Sequence, residues 1–244
     1  MGLDLSPCQP VFDRDPALYL DLTEPVRRGA GEVLYASENG ALVAVDLGRG
    51  TGDGQILFSL WAQDQDTARQ LCRRIPCRPQ SVTAHEACSL PALEEAFGYQ
   101  NFNACWQAGY FDKEPLPEPT LPFVLAPLGP DHLDQVYAHY QLTGKDYLAG
   151  RLEAGVMIGA FTPEGALAGF MGTHDEGTLG LLEVLPGYRR QGVATLLQSH
   201  MTNLALQRGQ IPYGQIFDGN TPSLALQRSL DFQCSQGFLY WPDH

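Results

Sequence analysis

Apolar residues along this chain recur in two rhythms, and the switches between them lay out its elements. Alternation, or short β-branched and aromatic runs, predicts strands at "EVLYA" (32–36), "ALVAVD" (41–46), "QILFSLW" (55–61), "SVTAH" (81–85) and "NACWQAGYF" (103–111). Helical spacing fits residues 16–28, "DQDTARQLCRRI" (64–75) and "LPALEEAF" (90–97), the second with an acidic start and an arginine-rich end that suit the helix dipole. "SENG" (37–40) joins the first two strands, and its Asn39-Gly40 pair is expected to supply the positive φ of a tight hairpin turn.

The rhythm then breaks. "FDKEPLPEPTLPF" (111–123) holds four prolines in eight residues, which forbid helix and central strand alike, so it reads as an extended linker. Beyond it the same flavour returns. Helices are expected near 130–140 and 146–153, then strands "GVMIGAF" (155–161), "ALAGFMGTH" (166–174) and "GTLGLLEVL" (177–185), with the turn "TPEG" between the first two. A helix follows over about 192–208, where Val193, Leu196, Leu197, Met201, Leu204 and Ala205 share one face. Strand "YGQIF" (213–217), a helix near 222–229 and strand "GFLYW" (237–241) complete the pattern.

"LPALEEAFGYQNFNACWQAGY" (90–110) and "SLALQRSLDFQCSQGFLYW" (223–241) both read helix, turn, aromatic strand, a weak internal repeat at matching places in the two halves. The expected architecture is therefore α+β, a mixed and mostly antiparallel sheet flanked by helices, in two related halves that share one continued sheet. Residues 1–112 form the first half, 113–122 the linker and 123–244 the second half.

Composition narrows the function. With 244 residues and 44% hydrophobic content the chain is long and apolar enough to bury a core. A net charge of -13 argues against nucleic-acid binding and means that an anionic ligand needs a local positive site. The six cysteines form no C-x-x-C pair and are expected as reduced thiols. The start "MGLDLSPCQP" has no basic segment leading into an apolar one, its Ser6 fits only a common myristoylation pattern, and no run reaches membrane-spanning length. A cytoplasmic protein without membrane contact is expected. His132 and His139 lack a third partner, so no metal site is expected.

Two stretches carry the spacing R-x-x-G-x-G/A. A phosphate cradle needs backbone N–H groups at a tight turn with a helix N-terminus behind them. "GRGTGDGQILF" (48–58) runs into a strand, so Arg49 to Gly54 reads as a hairpin loop. "YRRQGVATLLQ" (188–198) passes the test: a strand stops at Pro186-Gly187, and a helix follows with Gly192 and Ala194 expected in its first turn, where small side chains admit an anion. Arg189 and Arg190 add positive charge in a half that otherwise has four Lys or Arg residues. No Lys-Ser/Thr follows the glycine, so this is not a nucleotide P-loop.

"LLEVLPGYRRQGVATLL" resembles the acyl-CoA cradle of the GNAT N-acetyltransferase superfamily. "NTPSLALQRSLDF" (220–232) is similar to the segment that flanks the other side of CoA in that family, matching at Asn220, Ser223, Leu226 and Phe232. It departs at Gln227, where the family often has the tyrosine that reprotonates the leaving thiolate, and at Asp231, which replaces a glycine. The resemblance spans roughly residues 123–241, and the C-terminal halves of glycine N-acyltransferase-like proteins look similar. It implies a GNAT fold, a degenerate GNAT-like first half with Ala87 and Leu90 at the positions of Asn220 and Ser223, and acetyl-CoA as cosubstrate. By the same resemblance Leu182, Val184, Arg189, Arg190, Gln191, Gly192, Val193, Ala194, Asn220 and Ser223 hold acetyl-CoA. The acceptor is a small-molecule or peptide amine.

Acyl transfer to an amine needs a group to accept the amine proton. "HDEGTLGLLEVLP" is similar to the corresponding segment of bacterial ribosomal-protein N-terminal acetyltransferases, in which the glutamate matching Glu176 is the general base; in other branches the base falls two residues later, here Thr178. The other reading makes Asp175 and Glu176 solvated loop charges. Glu183 interrupts an apolar strand, so it is either a rim residue paired with an arginine or a catalytic or amine-binding carboxylate. A non-catalytic CoA-binding sensor is the rival to the N-acyltransferase reading.

Overall fold

A computed structural model describes residues 3–48, 55–76 and 78–243. The glycine-rich stretch Arg49 to Gly54 lies outside the described residues.

In chain order, α1 (Gln9–Phe12) and α2 (Leu20–Arg27) precede the hairpin of β1 (Gly31–Ser37) and β2 (Gly40–Asp46). β3 (Ile56–Ala62), α3 (Gln65–Cys72), β4 (Ser81–His85), α4 (Leu90–Phe97) and β5 (Phe102–Gly109) follow. Next come β6 (Val124–Pro127), α5 (Leu133–His139), α6 (Lys145–Glu153), β7 (Met157–Phe161), β8 (Leu167–Thr173), β9 (Leu179–Val184) and α7 (Val193–Gln207). The chain continues through β10 (Tyr213–Phe217), α8 (Thr221–Ser229), β11 (Gln233–Cys234) and β12 (Leu239–Pro242).

These elements gather into two compact units. One takes Met1–Gly109, Gln215–Arg228 and Phe232–His244, the other Tyr110–Gly214 with Ser229–Asp231. The strands build two sheets, not the single continued one expected from the repeat. The eight-stranded sheet has the order β1-β2-β3-β4-β12-β5-β10, with β11 also on β5, and the four-stranded sheet runs β6-β7-β8-β9. Apart from the parallel pair β3–β4, ladders such as β1–β2, β12–β5 and β8–β9 are antiparallel.

The repeat has a structural counterpart. The strands that end its two copies, β5 and β12, lie side by side with Leu239 opposite Cys105. The helices before them end alike: Gly98 closes α4 at φ 75, and Asp231 stands just past α8 at φ 58. Asp231 thus adopts the left-handed conformation that the family glycine would supply, and aspartate is among the residues that tolerate it best.

The hairpin turn corrects one expectation. Ser37 pairs with Gly40 across a two-residue loop, but neither Asn39 nor Gly40 has positive φ. Gly40 is required for space: a Cβ there would lie 2.8 Å from Thr67 and 3.2 Å from the Trp61 carbonyl, beneath α3.

Cores form on both faces of the large sheet. On one, Phe12 stacks on Tyr19 at 4.4 Å and both rings meet Trp61 edge-on. On the other, α3 and α4 cover Leu42, Leu60, Val82 and Ala84. On the face of the Phe12 and Tyr19 core sits a buried polar network. His85 Nε2 lies 2.8 Å from Asp21 Oδ1 and His85 Nδ1 lies 2.8 Å from the Leu60 carbonyl. Both ring nitrogens face acceptors, so the geometry calls for an imidazolium. Thr83 and Gln107 donate to the same carboxylate, Gln215 donates to Gln107, and Trp241 donates to Gln215.

Burial opposes charge on both partners, yet the attraction between them, reinforced by these hydrogen bonds, raises the His85 pKa and lowers that of Asp21. The raised histidine contributes stability below its unfolded value of about 6.5, lost as pH rises through the folded value; the lowered aspartate contributes above about 3.9, lost as pH falls through its own folded value. Thermal melting should therefore be highest in mildly acidic buffer and decline above neutrality. His85→Gln strands the buried carboxylate and should cost roughly 3–5 kcal/mol while flattening the alkaline decline. Melting against pH for both proteins checks this, and a parallel alkaline decline in the variant would contradict it.

Candidate functional site

The second unit carries the features that could hold a ligand. Its four-stranded sheet is covered on one face by α5 and α6, where Leu128, Val136, Leu148, Leu152, Met157, Leu167, Phe170 and Leu181 form the core. α7 packs on the other face, where a Cβ on Gly169 would meet Val193 at 3.1 Å and the Glu183 carbonyl at 2.8 Å.

β9 is distorted at its centre. Phe170 pairs with Glu183 and Gly172 with Gly180, so Met171 alone faces both Leu181 and Leu182. This is a β-bulge, and Leu181 within it has φ 53. A left-handed leucine costs about 1–2 kcal/mol. Its side chain is buried among Phe170, Met157 and Leu148, and full burial of a leucine contributes about 1.5–3 kcal/mol, enough to hold the conformation. β9 also ends its sheet, so its outer edge has no ladder partner there. Leu182 and Val184, the strand residues expected to line acetyl-CoA, are both partly exposed.

Past β9 the chain turns through Pro186–Tyr188. Arg190 at φ 63 and Gly192 at φ 84 make two left-handed steps before α7 begins. Gly192 is the N-cap residue, one position before the expected first turn, and its positive φ is the reason a glycine stands there. Leu196 N–H is the first to bond back, to the Gly192 carbonyl at 3.0 Å. Among the described residues, the N–H groups of Arg190, Gln191, Gly192, Val193, Ala194 and Thr195 meet no acceptor. Six orphan donors at the positive end of a 15-residue helix form an anion-binding concavity.

The two arginines take different roles. Arg189 Nε donates to the Val184 carbonyl at 3.0 Å and its guanidinium pairs with Glu183 Oε1 at 3.1 Å. Arg190 has no protein partner among the described residues. Gln191 donates to the Gly187 carbonyl at 3.0 Å, bracing the loop. Glu183 points to the α5–α6 side, as its pairing with Phe170 requires, and its charge adds to burial in pushing the Tyr140 phenol up to about 12.

The other expected carboxylate, Glu176, sits in the turn between β8 and β9. Thr178 Oγ1 donates to it at 2.6 Å, and the turn is closed by His174 N–H to the Thr178 carbonyl at 2.9 Å. Asp175 is no solvated charge. Its side chain is 1% exposed and forms an ion pair with Arg151 of α6. Sequence reasoning missed this pair, since nothing local joins residues so far apart. His174 lies 2.8 Å from the Tyr147 hydroxyl, with its ring seated where a Gly180 Cβ would stand, 2.4 Å from His174 Nε2.

Asn220 and Ser223 belong to the first unit, at the start of α8. There the Asn220 side chain accepts from Ser223 N–H at 3.2 Å, as a helix cap. Gln227 is buried on the same helix.

Residues 157–240 match the family model described as FR47-like protein. The C-terminal region is FR47-like and GNAT-related. No curated protein matches the chain. Three solved structures are similar to it in fold. A Drosophila protein from a structural-genomics programme superposes with TM-score 0.64 at 18% identity, over 83% of this chain and 73% of that one. A GCN5-related N-acetyltransferase from Kribbella flavida gives 0.54 at 14%, over 91% and 92%. A GCN5-related N-acetyltransferase-like protein from Streptococcus suis gives 0.53 at 14%, over 96% and 98%. At these identities the likeness shows the fold alone. Among the described residues, no helix is long and apolar enough to cross a membrane.

The GNAT-related sheet makes a test of packing around the Glu176 turn. Gly180→Ala drives a methyl into the His174 ring, and such overpacking costs typically 1–3 kcal/mol. The variant should melt lower by a corresponding margin and lose the Tyr147–His174 contact, seen as a shift of the His174 ring resonances in NMR. An unshifted His174 spectrum would contradict the seating described.

Proposed function

We propose that the protein is an acyl-CoA-dependent N-acyltransferase that transfers acetyl from acetyl-CoA to a primary amine by direct attack. The observation that carries the reading is the row of orphan N–H groups from Arg190 to Thr195 behind the bulged strand β9. These donors suit a pyrophosphate, and the unpartnered Arg190 adds charge beside them. The outer edge of β9 at Leu182 and Val184 is suited to backbone pairing with the amide-bearing arm of CoA. Asn220 and Ser223 are the remaining CoA-contact residues proposed.

Bound acetyl-CoA supplies an acyl group activated as a thioester. The chain's own task is to orient the amine and accept its proton. Glu176 is the proposed acceptor, held by Thr178 at the start of β9, and Glu183 is the second candidate carboxylate, paired in this structure with Arg189. Gln227 has no acidic proton to give, so a water or another side chain supplies the proton to the leaving sulfur. The acceptor is a small-molecule or peptide amine, with cytoplasmic action and no metal in the chemistry.

Gln227 also favours a second reading, a CoA-binding sensor without turnover. Thiol release across a panel of amines separates the two, because ligand stabilisation is common to both.

Two outcomes test the proposal. Gly192→Val, forced to adopt φ 84 with Leu121 close by, should weaken acetyl-CoA binding in calorimetry by tenfold or more, whereas Gly52→Val should leave it intact; the reverse pattern would reject this cradle. Glu176→Gln should lower kcat by about 10²–10⁴-fold with little change in the acetyl-CoA KM, and should remove the acid limb of the pH–rate profile. Near-normal kcat in Glu176→Gln beside an inactive Glu183→Gln would move the base into the strand.

A further inference from the structure

The turn that carries Glu176 is gripped from one helix. Tyr147 and Arg151 are four residues apart on α6, so they project from the same face. Tyr147 reaches His174, the first residue of the turn, and Arg151 reaches Asp175, the second. Glu176 is the third. The Arg151 guanidinium also lies 5.9 Å from the centre of the Tyr147 ring, which ties the two holding residues to each other.

Each contact is specific. The Tyr147 hydroxyl lies 2.8 Å from His174 Nδ1, and burial, followed by the charges of Glu176 and Asp175, raises the phenol pKa, so the hydroxyl stays protonated. The His174 ring is seated over Gly180, whose lack of a side chain leaves room for it. On the other side, the Asp175–Arg151 pair is largely withdrawn from water, with side chains 1% and 15% exposed. A pair so buried is far harder to open than a surface ion pair. The turn itself closes through His174 N–H to Thr178 and Gly177 N–H to His174 at 3.0 Å.

We infer that Tyr147 and Arg151 are positioning residues, a two-point clamp on α6 that fixes the turn bearing Glu176 for proton transfer. The inference rests on the acyltransferase reading for its purpose, and on the contacts alone for the clamp.

The test uses Tyr147→Phe, Arg151→Gln and Arg151→Lys in the full chain, each checked for folding by melting. Hydrogen exchange of residues 174–178 reads the clamp without any acceptor: exchange in this turn should quicken in Tyr147→Phe and Arg151→Gln while the amides of α7 are unchanged. With an amine that supports thiol release from acetyl-CoA, both variants should lose about 10–100-fold in kcat at unchanged acetyl-CoA KM, as expected when a reacting group is misplaced by about 1 Å. Arg151→Lys, which keeps the charge opposite Asp175, should recover most of the kcat and the slow exchange lost in Arg151→Gln. Wild-type exchange in the turn for a folded Arg151→Gln and Tyr147→Phe overturns the clamp. Quickened exchange with unaltered kcat, or no recovery of kcat in Arg151→Lys, overturns its catalytic purpose. Absence of acetyl-CoA binding by the wild-type protein would instead remove the acyltransferase reading and leave the exchange result to judge the clamp.

Discussion

Leu181 holds the second unit's chemistry in place by being in two conflicting situations at once. Its side chain belongs to the core under α5 and α6, and its backbone has the left-handed turn that leucine resists. The core wins, and the strand must therefore bulge. The bulge shifts the register of β9 by one residue, so that Glu183 comes opposite Phe170 and Val184 opposite Gly169 before the chain enters the arginine loop. A β9 without this kink would present the same residues in another register.

Much of this was legible in the residues. Strand, proline break, arginines, glycine and apolar helix are local signals, and each element appeared within a few residues of its expected place. The cradle's geometry followed because orphan N–H groups are a property of any helix start. What the residues did not disclose was settled by space rather than by propensity. Asn39-Gly40 has the composition of a positive-φ turn, yet Gly40 is there to let α3 approach. Leu181 carries no turn signal, since packing from elsewhere imposes its conformation. The two-sheet arrangement was hidden for a related reason: a repeat in sequence tells which units are alike, and pairing partners are chosen by edges that meet only in three dimensions.

The carboxylates show the same division. Their presence near β9 was visible, but only one of their settings was. Asp175 reads as a loop charge and is buried against Arg151, whereas Glu183 sits partly exposed beside Arg189, the rim pairing that was one of its two readings. In the first unit Asp21 and His85 gave no signal at all, lying on a helix and a strand far apart in sequence. Ion pairs formed over such distances are selected by the fold. A sequence reading that treats each charge in its local setting will count them as solvent-facing.

The position of β12 has a consequence for how the chain is made. This strand lies between β4 and β5, pairing Leu239 with His85 on one side and with Cys105 on the other. As the chain leaves the ribosome, β4 and β5 must wait through the whole of the second unit's sequence with facing edges unfilled. Non-local closure of this kind is slow, and waiting strand edges are sites of mispairing. The first unit is thus the earliest to be synthesised and among the last to be completed, and a nascent chain stalled before Leu239 would hold a half-built sheet open to its neighbours.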